Sequence, residues 1–299
     1  MKRALSCIFV ATVTAFSGGC APVRTTTRVE PSARPVAKEA SRAQLLDAYN
    51  STARGVNTIN ATVQLKPTAG SRYSGVIEEY HDAKAFLLVQ RPADIRMIGQ
   101  APVVGKTIFD MVSDGETFRV SIPTKNKFLV GSVAAETASK KPIENLRPQH
   151  LLDPLLWTEI GPQEPVLFEE FNDERGRYYV LTVLRGTETP AIARKIWFNR
   201  ADLQVSRLTT YGRDGLLLSD VQYSDWRPFA TTARPAGGGS ETPLLFPRKI
   251  RIERPHDDYT LELDVTAVTL NNTIPADRFK LEQPAGSELV HVGEKGSGL

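Results

Sequence analysis

The sequence predicts a mainly β protein with one large antiparallel sheet that curls, and with helical segments packed on its concave side. Apolar residues alternate with polar ones in short segments from residue 59 onward, which is typical of half-buried strands. The links between these segments are only a few residues long, and such links join antiparallel strands because parallel strands need long crossovers. About fourteen strands are expected, and a sheet with that many strands curls because strands twist.

The composition is that of a soluble globular protein. The 299 residues are 41% hydrophobic and 24% charged, with 21 Gly and 20 Pro, which excludes a collagen, a wholly disordered chain and a polytopic membrane protein. The formal net charge is +3. No segment is rich enough in Lys and Arg to form a basic groove, so no nucleic-acid partner is expected.

The first 19 residues have the three parts of a secretory signal peptide. Lys2 and Arg3 form a basic tip, an apolar stretch covers residues 4–16, and small residues follow at 17–19. The apolar stretch is too short to span the roughly 30 Å of hydrocarbon in a bilayer. We therefore expect residues 1–19 to be absent from the mature protein.

Cys20 directly follows these small residues. Residues 17–20 (SGGC) resemble the lipobox of bacterial lipoproteins, and the resemblance implies cleavage before Cys20 and an acyl chain such as palmitate on its sulfur. The alternative is an ordinary secreted protein with a free thiol. Ala21 stands where an Asp would resemble an inner-membrane retention signal, which favours an outer-membrane anchor facing the periplasm. The other cysteine, Cys7, lies in the leader, so no intrachain disulfide is expected.

A tether and a helix come next. Residues 20–40 lack hydrophobic periodicity and contain three prolines, which predicts a flexible tether after the lipidated cysteine. The globular domain is expected at residues 41–283. It starts with a helix that is capped by Ser41 and ends at Gly55. The apolar stripe of this helix consists of Leu45, Leu46, Tyr49 and Ala53.

Two runs of strands follow. The first run is expected at about 59–65, 73–80, 84–91, 94–99, 106–113, 116–122 and 127–131. The second run is expected at about 165–172, 177–185, 192–199, 203–211 and 216–226, with two final strands around 250–252 and 259–267. Residues 284–299 are expected to form a disordered tail.

A helical insert rich in Leu and Trp separates the two runs at residues 143–160. Pro148 and Pro154 should divide it into short helical pieces. Its apolar residues are expected to share one helical face and, together with the first helix, to cover the concave side of the sheet. The residues expected at this lid and its cavity are Leu45, Tyr49, Leu152, Leu155, Leu156 and Trp157.

The sequence contains no arrangement typical of catalysis or metal binding. The four histidines are scattered without metal-ligand spacing, and neither a nucleophile elbow nor a phosphate-binding glycine loop is present. The adjacent glutamates at 78–79 and at 169–170 should point to opposite faces of their strands. We therefore predict no catalytic residue, metal or cofactor, and a hydrolase is disfavoured.

Two strand segments, at 178–184 and 86–89, are apolar on both faces. In an antiparallel sheet this pattern means that both faces meet apolar material. A central strand of a two-layer sandwich fits the pattern, and so does a curved sheet whose concave side lines a cavity for acyl chains. Periodicity alone does not choose between them.

The order of segments resembles that of the LolA and LolB proteins of bacterial lipoprotein localisation. The resemblance covers roughly residues 42–225. Residues 95–107 (IRMIGQAPVVGKT) resemble the strand, protruding loop and next strand of LolB, and residues 152–161 (LDPLLWTEIG) are similar to its Trp-bearing helix. The resemblance implies an incomplete antiparallel barrel with a helical lid, whose cavity takes the acyl chains of lipoproteins.

A loop between two of the predicted strands carries the LolB-like feature. In LolB an apolar loop residue protrudes and helps to deliver cargo to the membrane, and the resemblance assigns that place to Pro102, Val103, Val104 and Gly105. Pro102 should direct the chain out of the sheet, and Gly105 allows it to turn back. Two valines stand here where LolB has one leucine. The alternative is that both valines fold inward and join the core.

The sequence leads to two hypotheses of function. The first is a lipid-anchored periplasmic protein that binds acyl chains of lipoproteins or lipids, and acts in lipoprotein localisation or lipid transfer at the outer membrane. Its candidate partners are the membrane, the acyl chains and a periplasmic carrier protein. The second is a structural or scaffolding envelope lipoprotein with a packed sheet and no ligand.

Overall fold

The computed structural model describes residues 36–71, 76–79, 81–134, 147–186, 188–229 and 244–292. The predicted signal peptide, Cys20 and the tether as far as residue 35 lie outside these residues. Within the described ranges, no helix is both long and apolar enough to cross a membrane.

One sheet of fifteen strands, not closed into a barrel, forms the body of the protein. Its first seven strands are β1 (Thr58–Ser71), β2 (Val76–Glu79), β3 (Ala83–Gln90), β4 (Asp94–Gln100), β5 (Thr107–Ser113), β6 (Thr117–Ile122) and β7 (Lys127–Ser132). The next eight are β8 (Val166–Asn172), β9 (Arg177–Arg185), β10 (Ala191–Asn199), β11 (Val205–Tyr211), β12 (Leu217–Pro228), β13 (Leu245–Arg254), β14 (Tyr259–Leu270) and β15 (Glu288–Val292).

Apart from β15, which runs parallel to β7, the sheet consists of two antiparallel meanders that share one seam. The strand order is β15-β7-β6-β5-β4-β3-β1-β14-β13-β12-β11-β10-β9-β8. The short strand β2 is not part of this order and pairs with one end of β1. The seam is the antiparallel pair of β1 with β14. The mainly β fold and the single curved sheet predicted from the sequence are confirmed, and the two-layer sandwich is wrong.

The connection from β7 to β8 has to cross the sheet, because these strands lie near its opposite ends. The described part of this connection contains a 3₁₀ helix (Pro148–Leu151) and helix α2 (Leu152–Leu155). It packs in the same apolar core as α1 (Arg42–Gly55) and the concave face of the sheet. The insert is thus split into short helical pieces, as predicted, but its helix ends before Leu156 and Trp157.

Helix α1 begins where the sequence predicts. The Ser41 hydroxyl accepts a hydrogen bond from the Gln44 backbone N–H at 3.3 Å, and the Ser41 N–H donates to the Gln44 side chain at 2.8 Å. This reciprocal capping box satisfies two backbone donors at the helix start. Leu45, Tyr49 and Ala53 are the buried residues of the helix and face the sheet.

The apolar segment at 178–184 is buried on both faces for a specific reason. Leu181 and Val183 belong to the concave core, whereas Val180 lies on the convex face, paired with Trp197 of β10. The Arg207 guanidinium lies 4.9 Å from the centre of the Trp197 ring. A layer formed by a Trp and an Arg therefore shields the convex face here, and no second sheet is needed.

The prediction of a disordered tail is wrong for residues 284–292, and residues 293–299 lie outside the described ranges. After β14 the chain passes over the convex face of β4 and β6, where Arg96 donates to the Arg278 carbonyl at 2.7 Å and Arg119 to the Leu281 carbonyl at 3.2 Å. It then adds β15 parallel to β7. This segment lacks a strong hydrophobic pattern of its own. Contacts with strands that are distant in sequence give it a defined structure.

Candidate lipid-binding cleft

An aromatic cluster lies between the helices and the concave face of the sheet. Trp157 is only 7% exposed and lies parallel to Tyr49, with ring centroids 5.1 Å apart. The rings of Tyr223 and Trp226 meet the Trp157 indole edge-on at 5.6 and 5.9 Å. Offset and edge-to-face aromatic contacts add stability beyond the area they bury, so this cluster fixes the position of the lid.

Hydrogen bonds satisfy the polar atoms of this cluster. The Trp157 indole N–H donates to the Tyr223 hydroxyl at 3.1 Å, and that hydroxyl donates to the Pro154 carbonyl at 2.9 Å. Burial raises the pKa of Tyr49 to about 12 and places the pKa of Tyr223 well above its ordinary value. Both phenols are therefore neutral at physiological pH, and the cluster carries no charge.

Arg91 ties the end of α1 to the segment after α2. Its guanidinium donates to the carbonyls of Ala53 at 2.7 Å, Val56 at 3.0 Å and Trp157 at 2.8 Å. Carbonyl groups at a helix end lack partners within the helix, and an arginine placed here supplies them. One side chain thus fixes the helix and the lid to each other.

A half-buried histidine anchors the start of the lid segment. Arg254 approaches Nε2 of His150 at 3.2 Å, and Tyr259 lies 2.5 Å from Nδ1. Arginine has only donors, so Nε2 accepts, and the ring proton is on Nδ1 and points to Tyr259. Burial lowers the pKa of His150 well below its usual value, and the positive charges of Arg254 and Arg147 lower it further. His150 is therefore neutral in the folded protein.

A cleft of about 320 Å³ opens beside the aromatic cluster. It lies between α1, the turn from β10 to β11, and the start of β13. The lining residues are Ala48, Tyr49, Ser51, Thr52, Trp157, Phe198, Leu203, Gln204, Val205, Trp226, Leu244 and Leu245, and none of them carries a charge. Leu244 lies at the rim of the cleft. Residues 230–243, which precede it in the chain, lie outside the described ranges.

The space directly below the lid is nearly filled. A cavity of about 20 Å³ lies there, lined by residues that include Leu155, Trp157, Tyr223 and Phe246. This volume is about that of one water molecule. Around the aromatic cluster, room for a larger ligand therefore lies beside the Trp157 indole and not beneath it.

The structure brings most of the predicted lid residues together. Leu45, Tyr49, Leu155, Leu156 and Trp157 are buried in the common core, and Leu152 is half-buried against it. Of these, only Tyr49 and Trp157 line the cleft. The others hold the lid to the sheet.

Sequence reasoning missed Trp226, which forms one wall of the cleft. Tyr223 faces the concave side, so strict alternation places residue 226 on the convex side. Asp225 instead has a left-handed backbone, with φ of 55°, and this breaks the alternation. The Trp226 ring therefore reaches the concave cluster, where its indole N–H donates to the Val205 carbonyl at 3.0 Å.

The loop between β4 and β5 projects from the sheet. The Gly105 N–H donates to the Ala101 carbonyl at 3.0 Å, and Gly105 has a φ of 65°, which glycine adopts without strain. Val103 is 95% exposed and Val104 75% exposed at the tip of this turn. Neither valine joins the core, so the inward-folding alternative does not describe this loop.

Among the described residues, no group of three or more His, Cys, Asp or Glu side chains is arranged to hold a metal ion.

Comparison with known proteins gives similarity at the level of the fold. No protein-family model matches the chain, and no curated protein matches it. A DUF1329 family protein from Desulfovibrio piger ATCC 29098 has a similar structure, with a TM-score of 0.50 and 13% identity over 79% of this chain and 94% of that one. The predicted resemblance to the LolA and LolB fold is confirmed for the fold.

Two further solved structures match at lower TM-scores. A LolA superfamily protein from Nitrosomonas europaea has a TM-score of 0.46 and 12% identity, over 81% of this chain and 99% of that one. A domain named for outer membrane lipoprotein sorting, from Vibrio parahaemolyticus, has a TM-score of 0.47 and 8% identity, over 79% of this chain and 94% of that one.

Proposed function

We propose that this protein binds an acyl chain of a lipid or lipoprotein in the cleft beside Trp157 and Trp226. It acts in lipoprotein localisation or lipid transfer at the periplasmic face of the outer membrane, where the lipid on Cys20 anchors it. The observation that carries this proposal is the uncharged, largely apolar lining of a cleft of about 320 Å³. Small-molecule sites have volumes of about 300–1,000 Å³, so this cleft suits one chain rather than a whole lipid.

The polar groups of the cleft are few and neutral. Ser51, Thr52 and Gln204 lie among aromatic and aliphatic side chains. A hydrocarbon chain gains about 0.8 kcal/mol for each methylene that leaves water, and it needs no hydrogen bonds in return. A charged headgroup would find no counter-ion on these walls, and we therefore place the headgroup outside the cleft.

The exposed loop supplies the contact with lipid in this proposal. Val103 and Val104 project side by side into solvent. Transfer of each apolar side chain from water into lipid would be favourable in free energy. We assign Pro102 and Gly105 the role of holding the two valines away from the sheet. The loop then touches the membrane surface, while the acyl chain occupies the cleft.

A second candidate function is favoured by the packing below the lid. The aromatic cluster fills the concave side there, and the cavity that remains has a volume of about 20 Å³. Such packing suits a structural or scaffolding envelope lipoprotein that binds proteins through its surface and takes no ligand.

Fluorescence quenching by a dibrominated stearate separates the two candidates. Trp157 and Trp226 line the cleft, whereas Trp197 lies on the convex face. The Trp197→Phe protein keeps only the two cleft reporters and should show saturable quenching. The Trp157→Phe/Trp226→Phe protein keeps only Trp197 and should show none.

A blocking substitution tests the place of binding. Ser51 is exposed on α1 and lines the cleft, so Ser51→Phe should fill the cleft without disturbing the core and should abolish the saturable quenching. Asp47→Phe, at an exposed position of the same helix outside the cleft lining, is the matched control. Absence of saturable quenching in the parent protein, or quenching that Ser51→Phe leaves unchanged, would favour the scaffold.

A further inference from the structure

Strand β8 ends the sheet on one side with an unusually apolar edge. In the described part of the chain it pairs only with β9. Leu167, Phe168 and Phe171 are 59%, 40% and 47% exposed. The strand contains no proline or lysine, and its register with β9 runs without a bulge from Val166 to Asn172. Proline, lysine and bulges protect many edge strands, and β8 has none of these three, so its backbone retains the geometry that accepts another strand, while its two glutamates restrict which strand can pair.

The hydrogen bonds around β8 show which of its backbone groups face outward. The Leu184 N–H donates to the Pro165 carbonyl at 2.9 Å, and the Asp173 N–H donates to the Gly176 carbonyl at 3.0 Å. In an antiparallel ladder, bonded and non-bonded pairs alternate, so the odd-numbered residues of β8 bond to β9. The residues whose N–H and C=O groups point to the free edge are Val166, Phe168, Glu170 and Asn172.

The charges of the edge define what can pair with it. Glu170 is on the concave face and forms an ion pair with Arg200. Glu169 is exposed on the convex face, between Leu167 and Phe171. A strand added here would therefore place one residue opposite a carboxylate and two residues opposite apolar side chains, all on the same face.

This charge pattern disfavours a second copy of the same strand. Full antiparallel overlap of two β8 strands brings Glu169 of one copy directly opposite Glu169 of the other. Like charges in direct opposition destabilise a strand pair, whereas opposite charges stabilise it. The complementary strand carries a Lys or Arg opposite Glu169, with apolar residues two positions to either side.

We propose that the free edge of β8 is a docking site for an extended, basic segment of another protein, which adds to the sheet as an antiparallel strand. The backbone groups at the edge provide the hydrogen bonds, and Leu167, Glu169 and Phe171 select the sequence. Addition of a strand to an open sheet edge is a general mode of peptide recognition. The site is separate from the cleft and does not depend on lipid binding.

Two synthetic peptides test the charge selection with the full chain. The peptide TVTRTVT places Arg opposite Glu169 and Val opposite Leu167 and Phe171, and TVTETVT differs only in its central residue. Fluorescence anisotropy of the labelled peptides should show that the Arg peptide binds roughly five- to tenfold more tightly. Equal affinities, or no binding of either peptide at millimolar concentration, would overturn the proposal.

A charge reversal locates the peptide on the edge. Glu169→Lys should reverse the preference, so that TVTETVT binds more tightly than TVTRTVT. Glu174→Lys, an exposed change in the turn after β8, makes the same change in net charge and should leave the preference unchanged. If both variants alter binding equally, the effect comes from net charge, and the proposal is wrong.

Amide hydrogen exchange tests the pairing itself. Bound TVTRTVT should slow exchange at Phe168, Glu170 and Asn172, whose N–H groups face the edge, and should leave Leu167 and Glu169 unchanged. Sedimentation provides the remaining control. A dimer that dissociates in the Leu167→Asp variant would identify a second copy as the occupant and would overturn the proposal of a basic partner.

Discussion

The indole of Trp157 lies parallel to the phenol ring of Tyr49, with an angle of 4° between the ring planes. Tyr49 belongs to α1, and Trp157 follows α2, about a hundred residues later in the chain. The two side chains thus join the two helical elements that cover the concave face. The stacked pair forms the inner wall of the cleft, so the packing that holds the lid also shapes the proposed binding site.

Replacement of Trp157 by Ala should strongly destabilise the fold. The change removes a buried indole and its contacts with Tyr49, Tyr223 and Trp226. Such core truncations cost about 3–5 kcal/mol of unfolding free energy, which urea denaturation measures. Trp197→Ala on the convex face is the control, with a smaller expected loss. Equal losses in the two variants would contradict the lid assignment.

Loss of the Arg91 side chain should loosen the lid. Arg91→Ala removes donors from three carbonyls at the end of α1 and at Trp157, and hydrogen exchange in residues 148–160 should accelerate. Arg54→Ala breaks only an exposed ion pair with Glu159, which is worth at most about 1 kcal/mol, and serves as the control. Equal acceleration in both variants would rule out the anchoring role of Arg91.

Most of the sheet follows from local alternation, because one face of most strands is buried. Ile59 and Val63 of β1 face the core, and the polar residues between them do not, so the period of two is directly visible in the sequence. The capping box at Ser41 is also local, and both partners are within three residues. These features depend on neighbours in sequence and could be predicted.

The missed features depend on residues that are distant in sequence. β15 is ordered by its parallel pairing with β7, and the chain before it by Arg96 and Arg119. Trp226 reaches the cleft because Asp225 has a left-handed backbone, which no hydrophobic pattern reports. The loop valines, in contrast, are flanked by Pro102 and Gly105, and these neighbours did indicate an excursion from the sheet.

The half-buried His150 should make stability depend on pH. Its folded-state pKa lies below the unfolded value of about 6.5, so the unfolded chain binds more protons in the window below that pH. Unfolding free energy should therefore fall as the pH drops below about 6.5, by up to about 1.4 kcal/mol per pH unit. Arg254 and Arg147 face the ring, and Asp257 pairs with Arg254.

Two variants separate this contribution from other acid effects. His150→Gln retains one donor and one acceptor but does not titrate, so its stability should depend less on pH between about 5 and 6.5. His256→Gln changes an exposed histidine and should behave as the parent protein. Denaturant titrations across this range measure the difference, and identical pH profiles for all three proteins would exclude His150 as the cause.

Anchoring is tested at the N-terminus. Cys20→Ser removes the proposed acylated sulfur, and the protein should move from the membrane to the soluble fraction. Mass spectrometry of the parent protein should find an N-terminus at Cys20 with acyl chains attached. A mature N-terminus at another residue, without lipid, would disprove this assignment.

The exposed valines of the β4–β5 loop give a clean test of function, because stability and activity should separate. Val103→Glu/Val104→Glu places two charges in solvent, and the melting temperature should hardly change, since surface substitutions usually alter stability by at most about 0.5 kcal/mol. Binding to phospholipid vesicles should be lost, as sedimentation with vesicles would show. Leu216→Glu/Leu218→Glu, at the start of β12, adds the same charge at two other exposed apolar positions and should retain vesicle binding. If both double variants lose binding equally, net charge explains the loss; if the loop variant binds as the parent protein does, the loop has no role at the membrane.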